Sequence, residues 1–285
     1  NIKQINSMIT QAFNPIIHEA LIQQHHASQY VGMAGWYLLP QLPDQSNTNM
    51  GYVAESKMLV GNTLPNGLSV GLQLSSLQLH LIREGKTTNK AISLIGKTQE
   101  AVYKELREAL EQNGVDTSNL LNKPNNPIPS HDIHVGGMFS MPDQEAFIEN
   151  THYRQNAETI ITQIAEDLDN ASSIRVWPEH FDTGGIENIA WNDQKEVTKS
   201  LGFGWAIPDS MIKEPYFYLN IWSHENLEGF NELPSPDAGE WSKTGWHGGV
   251  LTHSEIMKAG TSYDQQAMVL SFFRSGIKIF KEAYS

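Results

Sequence analysis

Apolar residues open the chain at helical spacing: Ile5, Ile9, Phe13, Ile16, Ile17, Ala20 and Leu21. Positions three and four apart share a helix face, so the pattern predicts helix over 2–36, with Pro15 starting a second helix at its first turn. The period then breaks. LPQLPDQSNTNMGY, residues 39–52, sets two prolines before Asp, Ser, Asn and Gly and reads as a turn-rich polar loop. Strand patterns follow. YVAESKMLVGNTL and LSVGLQLSSLQLHLI meet at PNG, a hairpin signal. In the second segment Leu68, Val70, Leu72 and Leu74 alternate, and so do Leu77, Leu79 and Leu81. The phase slips at Ser75 and Ser76, which a β-bulge or a turn would absorb. KAISLIG predicts a third strand.

KTQEAVYKELREALEQNG, residues 97–114, is an amphipathic helix pattern with a Val102–Leu106–Leu110 stripe and Gly114 at the C-cap. A proline-rich stretch, 122–132, is the expected boundary between halves. The second half repeats the order: helix over about 143–168, strands at SIRVW, SLGFGWAI and PYFYLNIW, a long loop at 223–248, and a closing helix from Tyr263 to about Tyr284. Short connections and late helices imply an α+β fold, with a mostly antiparallel sheet or sheets and flanking helices. We expect a single compact domain, 1–285, built of two similar α-β-β-β-α halves, 1–121 and 122–285.

Composition narrows the function classes. The 285 residues are 39% hydrophobic, a globular proportion, and the net charge is −13. Nucleic acid and anionic membranes are bound through clustered Lys and Arg, which this chain lacks, so neither is an expected partner. There is no cysteine, which removes disulfides, thiolate metal sites and cysteine nucleophiles. No apolar run is long enough to span a bilayer. The acidic balance and the lack of a leader-like apolar block make cytoplasmic residence the expectation; whether a leader was removed stays open.

SSIRVWPEHFDTGG, residues 172–185, holds the densest chemistry. On a strand, Arg175 and Trp177 share a face, and Pro178 ends the ladder. Glu179, His180 and Asp182 follow at the strand end. A carboxylate beside an imidazole fixes its tautomer and raises its basicity, so His180 with Asp182 is a candidate general base or metal-binding pair. Arg175 is suited to a bidentate grip on carboxylate or phosphate. The alternative is an Arg–Asp–His network that only anchors a loop. His25 or His26, with Gln29 a turn later, could face a cleft from the first helix. Asn49, with Asp44, Ser46, Thr48 and Tyr52, offers ligand contacts or caps its own turns. Tyr216, Tyr218 and Trp222 share one strand face. His131, Asp132 and His134 have metal-ligand types at a spacing common by chance. Trp241, Trp246 and His247 belong to a lid or a tied-down loop.

Taken in order, HHASQ, PDQSNTNMGY, NAETII, SSIRVWPEHFDTG, GFGWAIPDS, EPYFYLNIW and GEWSKTGWHGGVLTHSEI resemble a family of uncharacterised bacterial proteins whose hallmark is Arg-x-Trp-Pro-His-His-Phe-Asp at a strand end. The resemblance runs from about residue 20 to 280. Two positions depart from it: Glu179 stands where the family has the first histidine of its pair, and GEWS, with Glu240 and Ser242, replaces Gly-His-Trp-His. The resemblance implies the choice of site residues but no reaction.

Three functions are therefore expected as alternatives. One is a binding protein for a small anionic ligand, its cleft formed by His25, His26, Gln29, Asn49, Arg175, Trp177 and Tyr216. Another is a hydrolase or isomerase using His180 and Asp182, with Arg175, with or without a divalent metal. The last is a structural or interaction module. No cofactor is expected, a divalent metal is left open, and oligomeric state is not readable.

Overall fold

The computed structural model describes residues 8–88, 90–242 and 246–284. Ile5 of the opening helical pattern, and residues 243–245 of the tryptophan-rich loop, lie outside them. In chain order the elements are α1 (Pro15–Leu38), β1 (Met50–Val53), β2 (Met58–Gly61), β3 (Leu68–Gln73), β4 (Gln78–Arg83), β5 (Lys86–Thr87), β6 (Ile92–Ser93), α2 (Gln99–Gln112) and α3 (Gln144–Glu166). There follow β7 (Arg175–Val176), β8 (Thr183–Trp191), β9 (Val197–Ala206), β10 (Tyr216–Ser223), β11 (Glu240–Trp241), β12 (Gly248–Thr252), α4 (His253–Ile256) and α5 (Ser262–Tyr284). The fold is α+β, and the strand pairings described below are antiparallel.

The opening pattern yields one helix, not two. Pro15 begins α1, where its missing N–H costs nothing, and the Asn14 side chain accepts from the amides of Ile16 and Ile17 at 2.9 and 3.0 Å. Residues 8–13 are not helical. Ile9 is buried all the same, and its amide donates to Gln265 Oε1 at 3.1 Å. YVAESKMLVGNTL is likewise not one strand. It folds back as β1 and β2 around a turn with Lys57 at φ 53°. The slip at Ser75 and Ser76 is a turn between β3 and β4, with Leu77 at φ 47°.

Packing divides the chain into two compact units. Of the described residues, the first holds those within 14–151 and 175–181; the second holds 8–13, 152–174 and those within 182–284. The proline-rich stretch 122–132 lies within the first, and the division falls inside α3 and at both ends of 175–181.

In the first unit the strand order is β7-β1-β2-β3-β4, with β5 and β6 each paired to β4. Helix α1 lies across β2 and β3, and α2 packs on β4 and β6. Leu59, Leu68, Val70, Leu72, Leu79 and Leu81 are sealed between these layers. The stripe Val102, Leu106 and Leu110 is the buried face of α2. Because it crosses the interior, α1 is buried nearly all round, and its buried residues include Gln23, Gln24, His25, His26, Ser28 and Gln29.

In the second unit the order is β11-β12-β10-β9-β8. Leu201, Phe203 and Trp205 of β9 and Phe217 and Leu219 of β10 are buried, and α5 packs on β10 and β12. Strands β8 and β12 carry no clean alternation of apolar and polar residues. Glycines at 184, 185, 248 and 249 interrupt the pattern, so their strand character is visible only in the pairing.

Candidate functional site: the 175–181 clasp

His25 and Gln29 stand four residues apart on α1 and so face the same way. Both meet one atom. His25 Nε2–H donates to the Pro178 carbonyl oxygen at 2.9 Å, and the Gln29 side-chain amide donates to the same oxygen at 2.7 Å. Proline ends the β7 ladder and cannot itself donate, so the chain leaves the sheet at this residue and its carbonyl is taken up by the helix. Gly32, one turn on, completes the seat. A Cβ there would lie 3.0 and 3.1 Å from Pro178 Cβ and Cγ.

The chain then turns back. The Phe181 amide donates to the Trp177 carbonyl at 2.7 Å, and Phe181 takes φ 53°, a left-handed conformation that costs a bulky residue free energy. What holds it there is packing. Phe181 is fully buried, and its ring stacks on His25 with centroids 5.2 Å apart and planes 4° from parallel.

At the other end of the segment, Arg175 Nε donates to Asn49 Oδ1 at 2.7 Å. Its Nη2 reaches the Asn49 carbonyl and Asn62 Oδ1 at 3.5 Å each. Asn62 in turn donates to the carbonyls of Ser46 and Asn49 at 2.9 and 3.2 Å. The guanidinium lies against β1, where a Cβ on Gly51 would be 2.6 Å from Arg175 Nη1. Met50 pairs with Val176, which fixes the register of both ends of this network.

The first unit therefore brings His25, Gln29, Asn49 and Arg175 into one polar arrangement around 175–181, with Trp177 half-buried beside them. Other candidate residues stand elsewhere. His26, next to His25, faces His131 and His134. His180 is exposed and makes no hydrogen bond or ion pair among the described residues. Glu179 is half-buried, with Oε2 sealed and without a hydrogen-bond partner among them.

Asp182 and Tyr216 belong to the second unit. Asp182 Oδ2 accepts from the Tyr218 hydroxyl at 2.6 Å, and the Tyr216 hydroxyl donates to Asp209 Oδ2 at 2.6 Å. Asp209 Oδ1 accepts the amides of Met211 and Ile212. The two tyrosines alternate on β10 and so share a face, with ring centroids 6.5 Å apart. Burial first, then Asp209, pushes the Tyr216 phenol up; burial first, then Asp182, pushes the Tyr218 phenol up as well.

Asn62 and Asp209 are contributors that pattern reading missed. Asn62 ends a strand without any motif around it, while Asp209 sits in GFGWAIPDS, where Pro-Asp-Ser signals a turn. Among the described residues no group of three or more His, Asp or Glu is placed to hold a metal ion, and no helix is long and apolar enough to cross a membrane. No family model, curated protein or solved structure matches the chain.

Proposed function

We propose that this chain is a non-catalytic binding or interaction module, and that 175–181 is an internal clasp within it. The observation that carries the reading is the Pro178 carbonyl, which accepts from both His25 and Gln29. Groups poised for substrate hold donors or acceptors ready for it; these are spent on the protein's own backbone. Arg175 supports the same view, since Asn49 takes its Nε and Gly51 lies beneath its Nη1. His180 is exposed and makes no hydrogen bond among the described residues, and Asp182 Oδ2 accepts from the Tyr218 hydroxyl. The net charge of −13 supports a partner other than nucleic acid or anionic membrane, and cytoplasmic residence.

A second reading has its own support. The pairs Tyr218–Asp182 and Tyr216–Asp209 put two phenols and two carboxylates together in the second unit. Those groups suit a neutral polyhydroxylated or cationic small molecule better than an anion.

A thermal-shift screen with carboxylated and phosphorylated metabolites at millimolar concentration tests the first reading. The expected result is no stabilisation that depends on Arg175. A stabiliser whose effect disappears in Arg175→Lys, with the far-UV circular dichroism unchanged, would overturn it.

A further inference from the structure

His26 is 1% exposed, and neither ring nitrogen has a hydrogen-bond partner among the described residues. A buried imidazole with both nitrogens unsatisfied is costly and calls for a reason. It lies under residues 129–140. His134 meets it edge-on with centroids 4.5 Å apart, and His131 is at 5.5 Å.

That stretch is held down at points on either side. His131 Nε2 is 3.2 Å from Glu19 Oε1, and the Ser140 amide donates to Gln23 Oε1 at 3.1 Å. The Phe139 amide donates to the Lys97 carbonyl at 2.9 Å, and the Phe139 carbonyl accepts from the Gly96 amide. Ile133 and Phe139 are buried beneath it. Between these anchors Asp132–Val135 form a 3-10 turn, Gly136 takes φ 97°, and Val135 and Met138 are 84% and 61% exposed.

We propose that residues 129–140 form an acid-released strap, closed over α1 while His26 is uncharged and opened when His26 takes up a proton. The titratable groups acting on His26 are all imidazoles: His25 from α1, and His134 and His131 from the strap. Burial first, and then these neighbours, lower its pKa to about 3 from an ordinary 6.5. The Pro129 carbonyl opposes this but does not reach hydrogen-bond geometry with either nitrogen. Glu19, the carboxylate of the cluster, is occupied by His131 at 3.2 Å and by Gln23 at 2.7 Å, and Asp132 is exposed.

The sign follows from the lowered value. The closed strap excludes the proton and the open one accepts it, so the neutral imidazole supports closure above pH 6.5. That support is lost as the pH falls toward 3. Opening grows about tenfold per pH unit below the ordinary value, or about 30-fold between pH 7.5 and 5.0. An acid-opened strap would bare the polar face of α1 that carries Glu19, Gln23 and His26, and is a means of switching an interaction module by pH.

Hydrogen exchange on the full-length protein, corrected for intrinsic rates, tests this. Protection of the Phe139 and Ser140 amides, which bond out of the strap, is expected to drop about 30-fold from pH 7.5 to 5.0, with Phe217 and Leu219 in β10 unaffected. In His26→Gln, which is neutral at both values, the drop should vanish. A wild-type strap whose protection does not change, or a drop that survives in His26→Gln, would overturn the proposal. Should His26→Gln fail to fold, an NMR titration of the His26 ring in the wild-type protein decides. A ring still neutral at pH 5 supports the strap, and one that titrates near 6.5 rules it out.

Discussion

The side-chain amide of Gln29 donates to the carbonyl oxygen of Pro178 across 149 positions of sequence, at 2.7 Å, and His25 shares the acceptor. The bond ties the middle of the first helix to the end of a strand that the chain reaches only after α3. It joins two stretches of polar residues that look like site chemistry when read separately. Together they close a turn.

The clasp has a measurable stability. Gln29→Ala leaves Pro178 with His25 alone and should lower the unfolding free energy by about 1 kcal/mol, within a range of roughly 0.5–1.5. His25→Ala should cost more, because it also removes the stack that holds Phe181 in a left-handed conformation. The double variant should cost more than the two single costs added, since either donor alone still satisfies the carbonyl and removing both orphans a buried acceptor. His180→Ala, at an exposed and unbonded position, should stay within about 0.5 kcal/mol of wild type. Urea unfolding of the four variants measures all of this, and strict additivity would argue against a shared clasp.

Arg175 and Gly51 should behave as a pair. A methyl group at 51 would come 2.6 Å from Arg175 Nη1, so Gly51→Ala in the wild-type background must displace the guanidinium from Asn49. We expect a loss of about 1–3 kcal/mol from the displaced charged hydrogen bond. In an Arg175→Ala background the same substitution should cost little, because the space is vacant. A cycle in which Gly51→Ala costs the same in both backgrounds would mean that the contact is not what constrains Gly51.

Much of the architecture was legible where pattern and chemistry agree. The α2 stripe, its Gly114 stop and the PNG hairpin each rest on local rules. Some failures share a cause. Lys57 and Phe181 adopt positive φ although neither is glycine or asparagine, so the β1–β2 turn and the clasp left no residue signature. Of the site, the sequence marked His25, Gln29, Asn49 and Arg175 as unusual polar residues, but not what they contact. Whether an imidazole meets a ligand or a proline carbonyl depends on partners more than a hundred residues away. Asn62 shows the limit from the other side, being part of the network yet ordinary in its local context.

Alkaline pH should act through the buried tyrosines. Burial, with nearby carboxylates, raises Tyr216 and Tyr218, and burial likewise raises Tyr30 and Tyr153. Because the folded values lie above the ordinary value near 10, the stability these phenols contribute is complete below about pH 10. It is lost as the pH rises above that, where only the unfolded chain ionises. Of the nine tyrosines, these four should stay un-ionised in the folded protein. Absorbance at 295 nm should then show a reversible early phase for the accessible phenols, and a later one that coincides with loss of circular dichroism. All nine ionising near pH 10 with the fold intact would contradict the buried assignments.

The last prediction concerns a charge with no role in either candidate site. Glu187 on β8 is 2% exposed, and Lys281 Nζ on α5 lies 2.9 Å from each of its carboxylate oxygens. Lys281 is itself one-third exposed, so water shares in stabilising its charge but reaches the carboxylate poorly. The two single replacements should therefore be unequal. Lys281→Met leaves a buried carboxylate without this counter-charge and should cost about 3–5 kcal/mol, toward the lower end because of the partial exposure. Glu187→Gln keeps the shape, removes the buried charge and lets the ammonium turn to solvent, so its cost should be smaller. Glu187→Leu combined with Lys281→Met should recover most of the loss, since an apolar pair of similar volume has no charge to desolvate. Urea midpoints of the three variants decide the matter: if Lys281→Met costs under about 1 kcal/mol, or the double replacement is no more stable than Lys281→Met, the ion pair is not what compensates the burial of Glu187.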